Sequence, residues 1–380
     1  MRGHIRRRGK SWAVVVDVGR DDSGRRRQRW LGGFGTRKEA EAAVAEAIGK
    51  VGDGSFIEKN KVTLGAFLAR WLDATRASVR PTTLAGYRML VDAHITPALG
   101  LLRLQSLNAG HLNTLYGQLL EGGRCNGNGG LSPRTVRYCH ATLHKALSEG
   151  VKWGLVSRNV ADAASPPRQS QRHEPRVWTA EELRGFLEYA RGDYFYPPLF
   201  LLAMTGMRRG ETLGLSWGAV DLPAARLSIN RTLISVGGER LFSQPKTSRG
   251  RRSLSLDTAT VAVLKAHRMR VLEERMALGL GAPSPDDLVF TAPDGQPVNP
   301  ESFSDHFQRL VKAAHLPRVR LHDLRHGYAS VALSLGVSPR VVSERLGHST
   351  VAFTLDVYSH VLPGVQESEA QRVASAVLGT

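Results

Sequence analysis

Between Ala164 and Arg176 the chain reads ASPPRQSQRHEPR, thirteen residues with three prolines and no hydrophobic periodicity. Proline withdraws backbone donors, and a tract with so few apolar side chains has little to bury. One continuous core cannot run through it, and residues 165–178 read as an interdomain linker. The 380 residues of the chain also exceed what one ordinary core accommodates. Thr179-Ala-Glu-Glu182 forms a capping box that starts a helix just after the tract. The predicted architecture is multidomain and mainly α.

Upstream of the linker the chain changes character once. Trp12–Val18 is β-rich and ends in the turn cluster Gly19–Gly24, and Arg25–Leu31 reads as a second strand. Gly32-Gly33-Phe34 begins a third, and the capping box Thr36-Arg-Lys-Glu39 opens a helix to about Lys50. Residues 1–58 are thus a three-stranded sheet plus one helix. From residue 61 to 164 the pattern is helical. Leu64, Phe67, Leu68, Trp71 and Leu72 fall on one helix face. Thr82/Thr83 cap a second helix, with Leu84, Tyr87, Val91 and Ile95, which Pro97 ends. Asn108 starts a third, with Leu112, Leu115, Tyr116 and Leu119, and Ser132-Pro133 a fourth, with Val136, Leu143 and Leu147. These stripes read as the core of a helical bundle. Residues 179–380 read as a mixed α+β domain. Its strands lie near Arg226–Leu233, Arg240–Ser243 and Arg252–Leu256, and helices run over Thr258–Leu278 and from Asn299 onward.

Charge narrows the partner. There are 52 Lys+Arg against 34 Asp+Glu, a net +18. Residues 1–38 hold twelve Lys/Arg and three acids, half of that excess. Such clustering favours a polyanion. Arg25, Arg26, Arg27 and Arg29 on a predicted strand suit groove binding by a β-ribbon; Arg134 and Arg137 on the bundle suit phosphate contacts. Cys125 and Cys139 are the only cysteines, so no disulfide framework is required and a reducing cytoplasm fits. No run approaches the ~20 apolar residues of a membrane span.

Leu321–His360 concentrates the chemistry: it holds His322, Arg325, His326, His348 and Tyr358 within forty residues. Arginine, imidazole and phenol are the groups needed to hold a phosphodiester, neutralise it and attack it. Paired carboxylates for magnesium are missing, as is zinc spacing of Cys and His. His322 and His326 have a metal-pair spacing, but no Glu follows the first His and Arg325 would sit beside the ion. Farther upstream, Gly206 allows a tight turn before Arg208, and Glu211 is placed to hold a neighbouring cation. Arg209 reads as merely solvated. Gln244–Leu256 reads as a hairpin with a basic tip, where Lys246 either protonates a departing oxygen or only touches DNA. Each residue alone has an ordinary structural explanation: a lone Tyr358 reads as half-buried core, His326 as structural or chemical.

The ordered set Arg208, Lys246, His322, Arg325, His348 and Tyr358, in TGMRRGETLGLSW, PKTSRGRRSLSL, HDLRHGYAS and LGHSTVAFTLDVYSHV, resembles the tyrosine recombinase (phage integrase) family. Residues 1–58 resemble the arm-type DNA-binding module of phage integrases, and 61–164 the helical core-type DNA-binding domain. The resemblance implies a site-specific integrase that cuts and rejoins DNA through a 3′-phosphotyrosyl intermediate, with Tyr358 as nucleophile. Arg208 and Arg325 would clamp the phosphate, Lys246 would be the general acid, and His322 would assist proton transfer. His348 would bond the phosphate, with Glu211 in support. It implies no metal or other cofactor. The implied partners are double-stranded DNA at core-type and arm-type sites, three more copies of the chain in a tetramer, and a host DNA-bending factor and a directionality factor. The expected location is cytoplasmic, on DNA and not on a membrane. In this family the tail 364–380 docks on a neighbouring subunit; packing on its own domain is the alternative. Two rivals stand beside this reading: a type IB topoisomerase-like enzyme that relaxes DNA, and a non-catalytic DNA-binding regulator.

Overall fold

The computed structural model describes residues 3–20, 24–52, 57, 60–169, 176–244, 250–348, 350–358 and 374–379, with backbone alone at 18–20, 27, 50–52, 353 and 356–358. Internal contacts divide the chain into Met1–Gln171 and Arg172–Thr380. Among the described residues no helix is long and apolar enough to cross a membrane.

The first unit begins with an antiparallel sheet in the order β1 (Gly3–Arg8), β2 (Ser11–Arg20), β3 (Arg26–Phe34). Two of these strands are the expected ones, but the third is not at Gly32. There β3 simply continues, with Gly33 as the extra residue of a bulge between Trp12↔Phe34 and Ala13↔Gly32. Gly33 takes φ 96°, which suits glycine. The third strand is β1, GHIRRR, where only Gly3 and Ile5 are half-buried. An edge strand that buries so little carries almost no apolar signal. The capping box of α1 (Arg37–Gly52) forms: the Glu39 N–H donates to Thr36 Oγ1 (3.2 Å) and the Thr36 N–H to Glu39 Oε2 (3.3 Å). Its Ala40 and Ala47 pack on Val14 and Val16.

The helical part comprises α2 (Leu64–Thr75), α3 (Pro81–Leu90), a π-turn at Val91–Ile95, α4 (Thr96–Leu99), α5 (Ala109–Gly122) and α6 (Pro133–Lys152). The expected stripes of α2, α5 and α6 are buried in one core. Two details differ from expectation. Arg80, not a threonine, is the N-cap of α3, because Pro81 takes the first helical position. Pro97 does not end the helix: the Thr96 N–H bonds back to Val91 O, and that wide turn lets the chain carry a proline that lacks its own donor.

The second unit contains α7 (Ala180–Tyr189), α8 (Tyr196–Thr205), α9 (Arg209–Leu213), β4 (Val220–Asp221), β5 (Arg226–Ile229), β6 (Thr232–Val236), β7 (Glu239–Ser243), β8 (Arg252–Ser255), α10 (Thr258–Ala277), α11 (Pro300–Ala313), α12 (Asp323–Ser334), α13 (Pro339–Leu346) and α14 (Val351–Tyr358). Among the described residues, Gln244–Leu256 does not pair with itself as a hairpin. β7 pairs with β6, whereas β8 pairs with β5 in a separate sheet, β4-β5-β8. Trp178 is buried against Phe186 and Phe307, and its indole N–H donates to Pro317 O (2.9 Å). A smaller cluster, Ala329, Leu333, Val342 and Leu346, joins α12 to α13. α9, β8, α12 and α13 carry the site.

Candidate active site

The turn after α8 places the first arginine. Gly206 sits at φ 64° and ends α8, so the chain reverses and Arg208 becomes the N-cap of α9. Glu211, three residues on, reaches back: Arg208 donates from its backbone N–H to Oε2 (2.9 Å) and from Nη1 to Oε1 (2.7 Å). Glu211 is 3% exposed. Burial pushes its carboxyl upward, but the hydrogen bond and charge of Arg252, then Arg208, outweigh this and hold it below the ordinary carboxylate range. Arg252, the first residue of β8, donates from Nη2 to Glu211 Oε2 (2.9 Å) and from Nη1 to Oε1 (3.2 Å).

The second wall is the C-terminus of α13. Its last carbonyls lack intrahelical partners and stand at the negative end of the helix dipole. Three consecutive ones accept from three arginines. Arg345 O takes Arg252 Nε (2.5 Å), Leu346 O takes Arg325 Nη2 (2.7 Å), and Gly347 O takes Arg208 Nη2 (3.2 Å). Arg325, 3% exposed on α12, also donates from Nη1 to Gly206 O (2.7 Å). Three guanidiniums therefore converge on one helix end, two of them sharing the Glu211 carboxylate, and the cluster is net cationic. Such an array suits a bound anion whose oxygens take the forked donors.

Two histidines flank it. His348 follows Gly347, which ends α13 at φ 65°. It is buried, and its Nδ1 lies 2.8 Å from Thr354 Oγ1 on α14. Burial, then Arg325 and Arg208, push the imidazole down to about 3. His322 is the N-cap of α12 and keeps much of its surface in solvent. The surrounding protein, followed by the charges of His326 and Arg325, pushes it down to about 4. Both rings are neutral near pH 7, so each has one nitrogen that accepts and one that donates. The His326 ring stands edge-on to His322, with centroids 5.2 Å apart. Among the described residues no group of three His, Cys, Asp or Glu is placed to hold a metal.

Three family models match along the chain. The model of the "Phage integrase family" matches residues 179–364. An "Arm DNA-binding domain" model matches 4–51, and "Phage integrase, N-terminal SAM-like domain" matches 63–120. The chain belongs to the phage integrase family. Among its relatives, a "Tyrosine recombinase XerC-like" protein of Caldanaerobacter subterraneus subsp. tengcongensis is 28% identical over 93% of each chain. The ICEBs1 integrase of Bacillus subtilis is 24% identical over 89% of this chain and 90% of its own. In fold, the Tn1549 transposon integrase, solved with a circular intermediate DNA, superimposes with a TM-score of 0.68. It is 21% identical and covers 82% of this chain and 99% of its own. Lambda integrase, solved as a tetramer on a Holliday junction, gives 0.58 at 17% identity, covering 93% of this chain and 94% of its own.

In this tyrosine recombinase the fold brings together Arg208, Glu211, His322, Arg325 and His348 of the expected set. Lys246 lies outside the described residues. Tyr358 ends α14 and its side chain also lies outside them; the tail is described only at 374–379. Arg209 is not a solvated residue: Nη1 donates to Pro300 O (2.8 Å) and Ser304 Oγ (2.7 Å), tying α9 to α11. Of the expected DNA contacts, Arg25, Arg26 and Arg29 are exposed, Arg26 with its Nε 2.6 Å from Asp17 Oδ2. The Arg27 side chain lies outside the described residues. Arg134 lies over the Tyr138 ring at 5.7 Å, and Arg137 donates to Pro167 O (3.3 Å). The residue that sequence reading missed is Arg252. A signal was available: Arg252, Leu254 and Leu256 alternate, and the two leucines are buried, so the arginine shares their inward face.

Proposed function

We propose that the cluster on α9, α12 and α13 binds the scissile phosphate of double-stranded DNA and that Tyr358 attacks it. Tyr358 Oη would form a bond to phosphorus as the bond to the 5′ oxygen breaks, leaving a 3′-phosphotyrosyl link and a 5′ hydroxyl. Arg208 and Arg325 clamp the non-bridging oxygens and stabilise the charge of the pentacoordinate transition state. His348 donates a hydrogen bond to the phosphate. His322, neutral at pH 7, helps take the phenolic proton, and Lys246 delivers a proton to the leaving 5′ oxygen. A 5′ hydroxyl from another duplex then attacks the phosphotyrosine and reseals the strand. The observation that carries this reading is the convergence of three guanidiniums on consecutive carbonyls directly before His348.

Exchange between two duplexes needs four such sites, and the lambda integrase tetramer on a Holliday junction supports a homotetramer here. Relatives from a transposon and a prophage support a mobile element as the natural context; a host bending factor and a directionality factor would be further partners. Residues 1–58 would bind arm-type sites and 61–164 core-type sites. The arm-type region also weighs against a relaxing topoisomerase, which has no use for a second DNA site. The test is a suicide DNA substrate that traps the covalent complex, assayed in buffer containing EDTA. Wild type forms an SDS-resistant adduct and Tyr358→Phe does not; an adduct in that variant removes Tyr358 as nucleophile. Relaxation without recombinant product would move the protein to the topoisomerase class, and binding without any wild-type adduct would make it a regulator.

A further inference from the structure

Arg252 is far less exposed than Arg208, with a side chain 7% exposed against 40%. Its guanidinium is engaged on every nitrogen. Nη1 and Nη2 meet the two Glu211 oxygens, and Nη1 also reaches Gly250 O (3.3 Å). Nε meets Arg345 O. It thus ties three segments together: β8, the α9 turn carrying Arg208, and the end of α13 carrying His348. A merely structural buried ion pair would need only the two charges. Here the same carboxylate also holds Arg208, the residue that the mechanism needs free to meet phosphate.

We propose that Arg252 is a positioning residue that shares the Glu211 carboxylate with Arg208, so that Arg208 is oriented without being neutralised. The idea rests on the phosphate-binding reading above. With Arg252 present, Glu211 Oε1 is divided between the Arg208 and Arg252 guanidiniums while Oε2 takes Arg252 Nη2 and the Arg208 backbone N–H, and the trio keeps one net positive charge for the substrate. Without Arg252, the buried carboxylate has Arg208 as its remaining guanidinium partner. That pair tightens and closes on itself, because a desolvated charge left with one counter-ion holds it strongly. Arg208 then faces the DNA phosphate with its charge already spent. The loss falls on the chemical step and not on DNA affinity, since phosphates elsewhere on the duplex still meet the protein's other cations.

The test is a mutant cycle on the full chain, read by single-turnover adduct formation and, separately, by DNA affinity. Arg252→Met should bind DNA within about twofold of wild type and form the adduct at least ~10-fold more slowly, as expected when a transition-state contact is misaligned. Glu211→Gln in the Arg252→Met background removes the carboxylate that captures Arg208. The double variant should therefore react faster than Arg252→Met alone. Arg252→Lys, which offers a point charge and no fork, should fall between wild type and Arg252→Met. Rates that multiply down in the double variant would show that Arg252 is only a brace and overturn the proposal, as would a wild-type rate in Arg252→Met. Thermal unfolding of each variant separates loss of fold from loss of alignment. Failure here with a normal wild-type adduct leaves the recombinase reading standing, whereas absence of that adduct removes both.

Discussion

A methyl group has no room at Gly206. Its backbone is left-handed, and a Cβ there would lie 2.6 Å from Leu346 Cδ2 and 2.9 Å from Tyr328 Cδ1. Its carbonyl also accepts from Arg325. Gly206→Ala is therefore expected to destabilise the catalytic unit by about 1–3 kcal/mol through strain and overpacking, seen as a lower thermal midpoint. Adduct formation should suffer more than DNA binding, because relief of the clash displaces Leu346, whose carbonyl holds Arg325. An unchanged midpoint would show that the turn adapts without cost. At this scale much of the site was legible. Glycine before Arg208 and before His348 announced tight backbone, and Glu211 at three residues from Arg208 announced a partner. Arg252 was hidden because it stands in the run RGRR, where charge alone does not say which arginine turns inward. Only the alternation with Leu254 and Leu256 distinguishes it.

Among the elements, α14 meets the site through Thr354. Thr354 has no solvent exposure, and its hydroxyl meets the Nδ1 of His348. If that hydroxyl donates, the proton of the neutral imidazole lies on Nε2, where it can point to phosphate. Thr354 and Tyr358 are four residues apart on α14, so the same bond fixes the helix that ends in the proposed nucleophile. Thr354→Val keeps the shape and deletes the hydroxyl; Thr354→Ser keeps the hydroxyl. The valine variant should slow adduct formation by about 10-fold, roughly the ~1.4 kcal/mol of one well-placed bond, with DNA affinity intact and most activity retained by the serine variant. Equal rates in all three proteins would exclude this role. Helices were the most readable elements, since Thr36, Asn108, Ser132 and Thr179 all cap where their side chains suggested. Strand partners were not readable. β1 lacks an apolar stripe, and nothing local tells β8 to leave β7 and pair with β5, a choice made by the buried faces of the whole unit.

For the whole molecule, charge placement sorts the DNA contacts. Half of the +18 excess lies in the first 38 residues, where Arg25, Arg26 and Arg29 are exposed on and beside β3. The arginines of the proposed catalytic site, Arg208, Arg252 and Arg325, instead lie in the second unit, committed to carbonyls and Glu211. Arginines of the first kind release counterions when they meet phosphates, while those of the second kind act at one phosphodiester. Replacing Arg25, Arg26 and Arg29 by Gln together should therefore weaken binding to a duplex carrying an arm-type site. The log-affinity against log-salt slope should fall by up to roughly 0.9 for each phosphate that the sheet no longer neutralises. Adduct formation on a short core-site duplex should stay close to wild type, because that substrate presents nothing for the sheet to hold. Titrations at several salt concentrations supply the slope, and the suicide substrate supplies the rate. A core-site rate that falls in step with arm-site affinity would mean that these arginines serve the catalytic step itself, and the division of labour between the two regions would not hold.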